Sequence, residues 1–343
     1  MPLAQALAAT PPPPPDAALL AGIAAYRRHP WSRTAADPPC LWQEGETRLL
    51  DYGEPDATVA LVVPSLVNRS YVLDLLPDHS MLRYLAAHGI RPLLLDWGAP
   101  GLAERDFSLS DYIAGRLERA LAFIVGRNGG QPLPLVGYCM GGTMAVAIAA
   151  RQPQWVSRLA LLAAPWDFWA ANRPQANDLA ALLPSLEPAL QFGGALPVDA
   201  LQMMFSLLDP GSVAAKYRDF ARQDQGSARA RMFVALEDWL NDGIPLAAQV
   251  ARETLRGWYG ANSPANGAWR ILGLPVQPQL LSMPCFIAAP GRDRIVPPES
   301  AKALAGTIAN AELHVPPAGH IGMVAGSTAK RVLWEKLAVW LRA

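Results

Sequence analysis

The stretch LVGYCMGGTMA, residues 135–145, places a cysteine between two glycines in the pattern G-x-C-x-G. An apolar run, residues 133–136, precedes the cysteine, and an alanine-rich run, residues 142–150, follows it. The pattern therefore predicts a strand, a sharp turn and a helix in succession. Glycine on both sides lets such a turn form without Cβ clashes and raises the residue between them over the carboxyl edge of a sheet. Cys139 is thus a candidate nucleophile.

Short apolar runs alternate with longer amphipathic segments along much of the chain, which is typical of a mostly parallel sheet flanked by helices. The amphipathic segments include residues 111–125, with Ser108 and Asp111 at capping-box spacing, and residues 329–341. The apolar runs are residues 58–63, 92–96, 133–136, 159–163, 285–289 and 312–315. We predict an α/β fold in which these runs are strands.

The alternation stops between residues 166 and 276, where Pro, Met, Trp and Leu are mixed without clear strand runs. Helical periodicity in residues 198–208 and 230–240 predicts a helical cap inserted between two core strands. Near the beginning of the chain, five consecutive prolines from Pro11 predict an extended, mobile arm. The expected division is an arm (1–16), a first core part with the cysteine (17–165), the cap (166–276) and a second core part (277–343).

Composition argues against several classes of function. The 343-residue chain has 29 basic and 29 acidic residues and no basic run, so it lacks the charge expected of a nucleic-acid-binding protein. Three widely spaced cysteines argue against a disulfide framework or a metal site and favour a reducing cytoplasm. The first residues do not resemble a secretory signal, and no apolar run is long enough to predict a membrane span. The 51% apolar content indicates a surface that contacts something lipid-like.

A cysteine nucleophile needs a base, and the chain has five histidines. His320 lies in a Pro/Gly loop directly after the last apolar run, where an α/β-hydrolase carries its base. His314, inside that run, and His88, beside a predicted helix end, are better explained as structural residues. Asp293 follows the preceding apolar run and would orient the imidazole of His320. The order Cys139, Asp293, His320 is typical of the α/β-hydrolase fold, which we therefore predict.

A plainer interpretation stays open, in which Cys139 is a buried apolar side chain, Asp293 caps its loop and His320 is a surface residue. Two backbone N–H groups are candidates for an oxyanion hole, which would stabilise the negative oxygen of a tetrahedral intermediate. Met140 directly follows the cysteine at the start of the predicted helix. The second donor belongs in the loop after the run 58–63, where Val67 is the first candidate and Leu66 the alternative.

Several stretches together resemble the polyhydroxyalkanoate synthases, especially the short catalytic subunits that make poly-3-hydroxybutyrate with a second subunit. The resemblance covers about residues 40–342, and the combination is far more specific than any one motif. The matching stretches are VPSLVNRSYVLDL (63–75), LDWG (95–98), GYCMGG (137–142), DRIVP (293–297) and GHIG (319–322). Many members of this family have a histidine after the catalytic aspartate, whereas this chain has Arg294.

The resemblance implies a residue for each step of the reaction. Cys139 would be the acylated nucleophile, His320 the general base and Asp293 its partner, with the Val67 and Met140 N–H groups as the oxyanion hole. Such enzymes polymerise (R)-3-hydroxyacyl-CoA into polyhydroxyalkanoate and release CoA. The thioester is the substrate and CoA the product, so no cofactor or metal is expected. The implied partners are the surface of a nascent polyester granule in the cytoplasm, a second copy of the chain and a second synthase subunit.

Two rival functions stay open on sequence grounds. The first is a hydrolase with the same triad, acting as a polyhydroxyalkanoate depolymerase, a thioesterase or a lactone hydrolase with water as the acceptor. Small dienelactone hydrolases resemble the Cys139 motif but lack room for the insertion at 166–276. The second rival is a non-catalytic protein of granule surfaces, which would have no need of Cys139, Asp293 and His320 in that order. Synthesis suits a thiol, because a cysteine thioester is as reactive as the CoA thioester that it replaces.

Overall fold

The computed structural model describes residues 16–35, 37–208 and 212–343. Most of the predicted arm, residues 1–15, therefore lies outside the described residues. Asp16, its last residue, is the N-cap of the first described helix, Ala17–Arg28, and its side chain accepts a hydrogen bond of 3.0 Å from the N–H of Leu19. A carboxylate at this position satisfies one of the N–H groups that have no partner within a helix.

The core is an eight-stranded sheet with the strand order β1-β2-β4-β3-β5-β6-β11-β12. From β4 to β12 every neighbouring pair is parallel, whereas β1 and β2 form an antiparallel hairpin that pairs with β4. Two short ribbons, β7 with β8 and β9 with β10, lie outside this sheet. In chain order the strands are β1 (Cys40–Glu44), β2 (Thr47–Asp51), β3 (Thr58–Val63), β4 (Ile90–Asp96), β5 (Leu133–Tyr138), β6 (Val156–Leu162), β7 (Ala195–Leu196), β8 (Leu246–Ala247), β9 (Arg270–Ile271), β10 (Leu274–Pro275), β11 (Cys285–Ala288) and β12 (Ala311–His314).

The parallel strands from β4 to β11 are largely buried on both faces of the sheet, whereas the edge strand β12 has no fully buried residue. In β3, Leu61 and Val63 belong to one apolar cluster, and Ala60 and Val62 belong to another on the opposite face. Strands that are covered on both faces appear in a sequence as continuous apolar runs. All six predicted strands are present. Their continuous apolar runs are the reason that they could be predicted from the sequence. The β1–β2 hairpin was not predicted, because its residues mix polar and apolar types.

Helices cover both faces of the sheet. Several helices between β6 and β11 lie within residues 166–276, where we predicted a cap. The helices are α1 (Ala17–Arg28), α2 (Met81–Ala86), α3 (Asp111–Leu117 continued by Glu118–Arg127), α4 (Met140–Arg151), α5 (Arg173–Ala181), α6 (Leu183–Gly193), α7 (Val198–Leu208), α8 (Ser212–Ala221), α9 (Ala228–Asn241), α10 (Ala248–Arg252 continued by Glu253–Gly260), α11 (Pro298–Thr307), α12 (His320–Ala325) and α13 (Lys330–Trp334 continued by Glu335–Arg342). Short 3₁₀ turns lie at Ser70–Asp74, Pro153–Trp155 and Pro278–Leu280. Among the described residues, no helix has the length and apolar character needed to cross a membrane.

Candidate active site

Cys139 lies in a sharp turn between β5 and α4, above the carboxyl edge of the sheet. Its backbone has φ 55° and ψ −130°, a region that residues with a side chain rarely adopt. Two backbone hydrogen bonds hold the turn: the Cys139 N–H donates to the Leu162 carbonyl (2.9 Å), and the Gly142 N–H donates to the Cys139 carbonyl (2.8 Å). The strain at the cysteine is therefore balanced by the strand on one side and the helix on the other.

The glycines around Cys139 are required by close approach of the backbone. A Cβ at Gly141 would lie 2.3 Å from the carbonyl oxygens of both Val63 and Pro64. A Cβ at Gly137 would lie 2.5 Å from the Cα of Gly142. Because ordinary contacts of a Cβ are longer than 3 Å, larger residues at these positions would push the helix away from the strand ends. The strand, turn and helix predicted from this motif are present.

The side chains of His320 and Asp293 are in contact, although 27 positions separate the two residues in the chain. His320 begins α12, and its Nδ1 lies 2.7 Å from Oδ2 of Asp293. The other carboxylate oxygen, Oδ1, accepts hydrogen bonds from the N–H groups of Ile295 (2.9 Å) and Val296 (2.8 Å). Both side chains are buried. The loop therefore fixes the Asp293 carboxylate, and the carboxylate in turn orients the imidazole ring.

The environment of His320 favours its charged form. Burial lowers the pKa of the imidazole, but the negative charge of a Cys139 thiolate and that of Asp293, with hydrogen bonds to both, raise it, and the net pKa is about 10. Burial and the same Cys139 charge raise the pKa of Tyr259 to about 12. These contributions require Cys139 and His320 to be close neighbours. The imidazole of His320 is therefore held between two groups that favour its protonated form.

The two candidate oxyanion donors both lie beside Cys139. Met140 is the first residue of α4, where the N–H has no partner within the helix and the helix dipole favours negative charge. Val67 lies in the loop after β3, and its N–H donates to Oγ of Ser65 (3.0 Å). The next residue, Asn68, has φ 64°, which turns the loop sharply at this point. An oxyanion would have to replace Ser65 as the acceptor for Val67.

Two cavities meet at Cys139. The larger has a volume of about 660 Å³ and is lined by His320, by the loop after β3 and by residues of α7 and α9 such as Leu201 and Trp239. The smaller has a volume of about 110 Å³ and includes Met140 and a series of apolar side chains. The thiol therefore lies between a large cavity that contains the candidate base and a small cavity that contains a candidate oxyanion donor.

Some residues of the site were not predicted. Tyr138 precedes the cysteine, its ring centroid lies 5.3 Å from that of His320, and its hydroxyl donates to the His320 carbonyl at 3.5 Å. Ile295 lines both cavities. Tyr259 and Trp258 of α10 line the small cavity. Aromatic residues in a helix have no sequence signal that separates a cavity wall from ordinary packing.

The fold and the turn at Cys139 define the α/β-hydrolase class. Residues 61–326 match the family model described as the alpha/beta hydrolase fold. Solved structures agree, including the thioesterase domain from the curacin biosynthetic pathway (TM-score 0.52, 18% identity, 90% of this chain and 100% of that one). The monoacylglycerol lipase of Paleococcus ferrophilus is a second example (TM-score 0.53, 15% identity, 87% and 98%). At these identities the likeness concerns the fold alone.

Relatives in sequence are more specific. The poly(3-hydroxyalkanoate) polymerase subunit PhaC of Synechocystis sp. is 30% identical over 289 residues, covering 82% of this chain and 76% of that protein. The corresponding protein of Allochromatium vinosum is 29% identical, covering 84% and 82%. That of Haloferax mediterranei is also 29% identical, covering 88% of this chain but only 62% of its own length. The chain belongs to the poly(3-hydroxyalkanoate) polymerase family, and it spans 62% and 66% of the Haloferax mediterranei and Haloarcula marismortui relatives.

Proposed function

We propose that the chain polymerises (R)-3-hydroxyacyl-CoA into polyhydroxyalkanoate through a thioester on Cys139. The observation that carries the proposal is a cysteine at the sharp turn, beside the buried Asp293–His320 pair, in a chain of the polymerase family. The CoA thioester is the substrate and free CoA the product. The reaction balances without a cofactor, because the thioester itself supplies the activated acyl group.

The first half of the proposed reaction loads the enzyme. The Cys139 thiolate attacks the thioester carbonyl, and the developing oxyanion accepts hydrogen bonds from the N–H groups of Met140 and Val67. When the tetrahedral intermediate collapses, the bond from the carbonyl carbon to the CoA sulfur breaks. The departing CoA thiolate takes the proton of the His320 imidazolium. The acyl group is then held on Cys139 and His320 is neutral.

The second half forms the ester bond. The hydroxyl group of a second 3-hydroxyacyl unit attacks the carbonyl of the Cys139 thioester, and His320 accepts the hydroxyl proton. The bond to the Cys139 sulfur breaks, which restores the thiolate and the imidazolium. Asp293 stabilises the charged ring at this stage through its 2.7 Å contact. Transfer of the acyl group from one thiol to another changes the free energy little, whereas transfer from a thioester to a hydroxyl group releases free energy.

The experiment supplies purified chain with (R)-3-hydroxybutyryl-CoA and follows both CoA and product. We expect CoA release together with insoluble polyester, and loss of both in Cys139→Ala. Cys40→Ala is the matched control, because Cys40 is an exposed residue of the edge strand β1. Release of CoA with only free 3-hydroxybutyrate would instead support the hydrolase. Polyester formation by Cys139→Ala would contradict the mechanism.

The relatives are named as polymerase subunits, which supports an assembly as the working form of this chain. A second copy, a second synthase subunit and the surface of a polyester granule in the cytoplasm are the partners that we propose. Light scattering of the purified chain alone tests for a second copy. The same measurement with polyester particles tests for binding to the granule surface. A chain that stays monomeric, polymerises at full rate and does not bind particles would contradict these partners.

A further inference from the structure

The loop after β3, residues 64–69, carries the candidate oxyanion donor Val67 and is strained at the next residue. Val67 and Cys139 both line the large and the small cavity, so the loop lies beside the thiol. Asn68 has φ 64°, in the left-handed region that residues with a side chain adopt at a cost. Such a conformation persists only where surrounding contacts hold it. Arg69, which follows directly, makes two contacts of this kind with helix α9.

Helix α9 binds both the backbone and the side chain of Arg69. Trp239, which is 5% exposed, donates from its indole Nε1 to the Arg69 carbonyl at 2.7 Å. Nε of Arg69 donates to Oδ1 of Asp242 at 2.9 Å. The other carboxylate oxygen, Oδ2, accepts a hydrogen bond of 3.2 Å from the hydroxyl of Tyr71, in the 3₁₀ turn that follows the loop. The Asp242 carboxylate therefore holds two residues on the downstream side of Val67.

Asp242 occupies a position that is unfavourable for its own helix. It is the C-cap of α9, where its N–H donates to the Asp238 carbonyl at 2.9 Å. Negative charge at a helix C-terminus is repelled by the helix dipole. The Arg69 and Asp242 side chains are 41% and 46% exposed, and ion pairs with this exposure add little to stability. Helix capping and fold stability therefore give little reason for this carboxylate, whereas its contacts with the loop do.

We propose that Asp242 is a positioning residue for acyl transfer, which holds the loop after β3 so that the Val67 N–H can donate to the oxyanion. Within the residues that the structure describes, Asp242 lines neither cavity at Cys139, so it acts through the loop. The inference rests on the acyl transfer to Cys139 in the proposed function. It holds whether the acyl group then passes to a hydroxyl group or to water.

Two reactions of Cys139 separate an effect on the oxyanion hole from an effect on the thiol. With p-nitrophenyl butyrate the thiolate attacks the ester carbonyl, an oxyanion forms, and p-nitrophenolate leaves as the enzyme thioester is made. With iodoacetamide the thiolate attacks a methylene carbon and displaces iodide, so no oxyanion forms. Displacement of an oxyanion donor therefore slows the first reaction alone.

Asp242→Ala should slow the burst of p-nitrophenolate by about tenfold or more, toward the roughly 10²–10³-fold loss that follows removal of a whole oxyanion donor. Its alkylation by iodoacetamide and its urea midpoint should equal those of the parent. Tyr71→Phe removes one of the two hydrogen bonds to the carboxylate and should slow the burst less. The double variant should be no slower than Asp242→Ala, because both changes act through one carboxylate.

Asp238→Ala is the matched control. Asp238 lies one turn earlier in α9, and its carboxylate accepts a hydrogen bond from the hydroxyl of Tyr26 in α1 (2.7 Å) rather than from the loop. The control should leave both reactions unchanged. Equal slowing of the two reactions in Asp242→Ala, an unchanged burst in that variant, or the same loss in Asp238→Ala would each overturn the inference.

A second variant covers the case in which Asp242→Ala does not fold. Asp242→Asn keeps the shape of the side chain and removes its charge, and the burst should again slow while alkylation does not. Failure of the proposed function is distinct, because the unmodified chain would then give the burst but no polyester from (R)-3-hydroxybutyryl-CoA. A parent without the burst would overturn the inference together with acyl transfer on Cys139.

Discussion

The position of Cys139 in the backbone determines both where its sulfur lies and which N–H groups lie beside it. The turn between β5 and α4 lifts the sulfur above the sheet edge, and the helix that starts at Met140 presents unpaired N–H groups toward it. The strained dihedral angles persist because the surrounding glycines let strand and helix approach closely. The proposed activation of the thiol and the proposed stabilisation of an oxyanion would therefore depend on the same few residues.

Gly141→Ala should damage both the fold and the site. Its Cβ would lie 2.3 Å from two backbone carbonyls, at Val63 and Pro64, and backbone cannot move aside as a flexible side chain can. We expect a loss of at least about 2 kcal/mol in the free energy of unfolding. The proposed acylation of Cys139 should fall as well, since the loop after β3 carries the second candidate oxyanion donor. Urea denaturation and release of CoA in one turnover measure the two effects.

Gly126→Ala is the matched control for this change. Gly126 lies in α3, and a Cβ there would meet nothing within 4 Å. Alanine is the better helix former, so the variant should be as stable as the parent or up to about 1 kcal/mol more stable. Equal effects at the two glycines would contradict close approach as the reason for Gly141.

At the scale of elements, a buried ion pair attaches the edge hairpin to the core. Arg116 in α3 contacts Glu104 at 2.9 Å, and the side chains are 3% and 1% exposed. Oε1 of Glu104 also accepts a hydrogen bond from the Glu46 N–H (3.2 Å) in the turn between β1 and β2. The turn residue Gly45 has φ 56° and no room for a Cβ beside this pair. Glu104 thus connects a helix, a loop and the hairpin.

Arg116→Met should be strongly destabilising. Removal of one partner leaves the Glu104 carboxylate buried without compensation, which costs about 3–5 kcal/mol. Arg119→Met is the comparison, because Arg119 lies on the same helix as Arg116 and pairs with Glu44 of β1 but is 52% exposed. Its loss should cost at most about 1 kcal/mol. Chemical denaturation of both variants gives the difference. Similar losses of unfolding free energy in the two variants would contradict a larger contribution from the buried Arg116–Glu104 pair than from the exposed Arg119–Glu44 pair.

The same helix shows how local sequence determines a helix start. The Ser108 N–H donates to Oδ2 of Asp111 (2.8 Å), and the Asp111 N–H donates to Oγ of Ser108 (3.2 Å). This reciprocal pair is the capping box expected from the spacing of the two residues. Its partners are three positions apart, so no distant part of the chain has to be known to predict it.

At the scale of the whole molecule, the site joins distant parts of the chain. Cys139 follows β5, whereas Asp293 and His320 follow β11 and β12. Parallel strands bring their carboxyl ends to one edge of the sheet, where loops from different strands can meet. The helices between β6 and β11 add further walls to both cavities, through Leu201 and Phe205 of α7. The thiol is therefore neither fully exposed nor sealed.

This long-range contact should make stability depend on pH. The folded pKa of His320, about 10, is above its ordinary value of 6.5, so in that interval the folded imidazole keeps a proton that the unfolded imidazole has released. The contribution of His320 to stability is complete below pH 6.5 and falls as the pH rises toward 10, by up to about 1.4 kcal/mol per pH unit. His320→Gln should lack this decline. Urea denaturation of both proteins between pH 6 and 10 measures it, and parallel curves would contradict a raised pKa.

The parts of this protein that the sequence determines by itself are local. The strand, turn and helix around Cys139 follow from neighbouring residues, and the parallel strands follow from runs of apolar residues, most of which are buried on both faces of the sheet. The placement of Asp293 and His320 after successive strands could also be predicted, because the order of strands and loops in this fold is regular. The roles of those residues in catalysis stay predictions until the variants are measured.

Other features were decided only by the tertiary structure. The 2.7 Å contact of Asp293 with His320, the two cavities at Cys139 and the contacts of Asp242 with the loop after β3 depend on packing between residues far apart in the chain. The β1–β2 hairpin belongs to the same group, because its mixed residues become a sheet edge only beside β4 and the buried Glu104. Local patterns specify local geometry, whereas cavities and long-range contacts arise from how whole surfaces fit together.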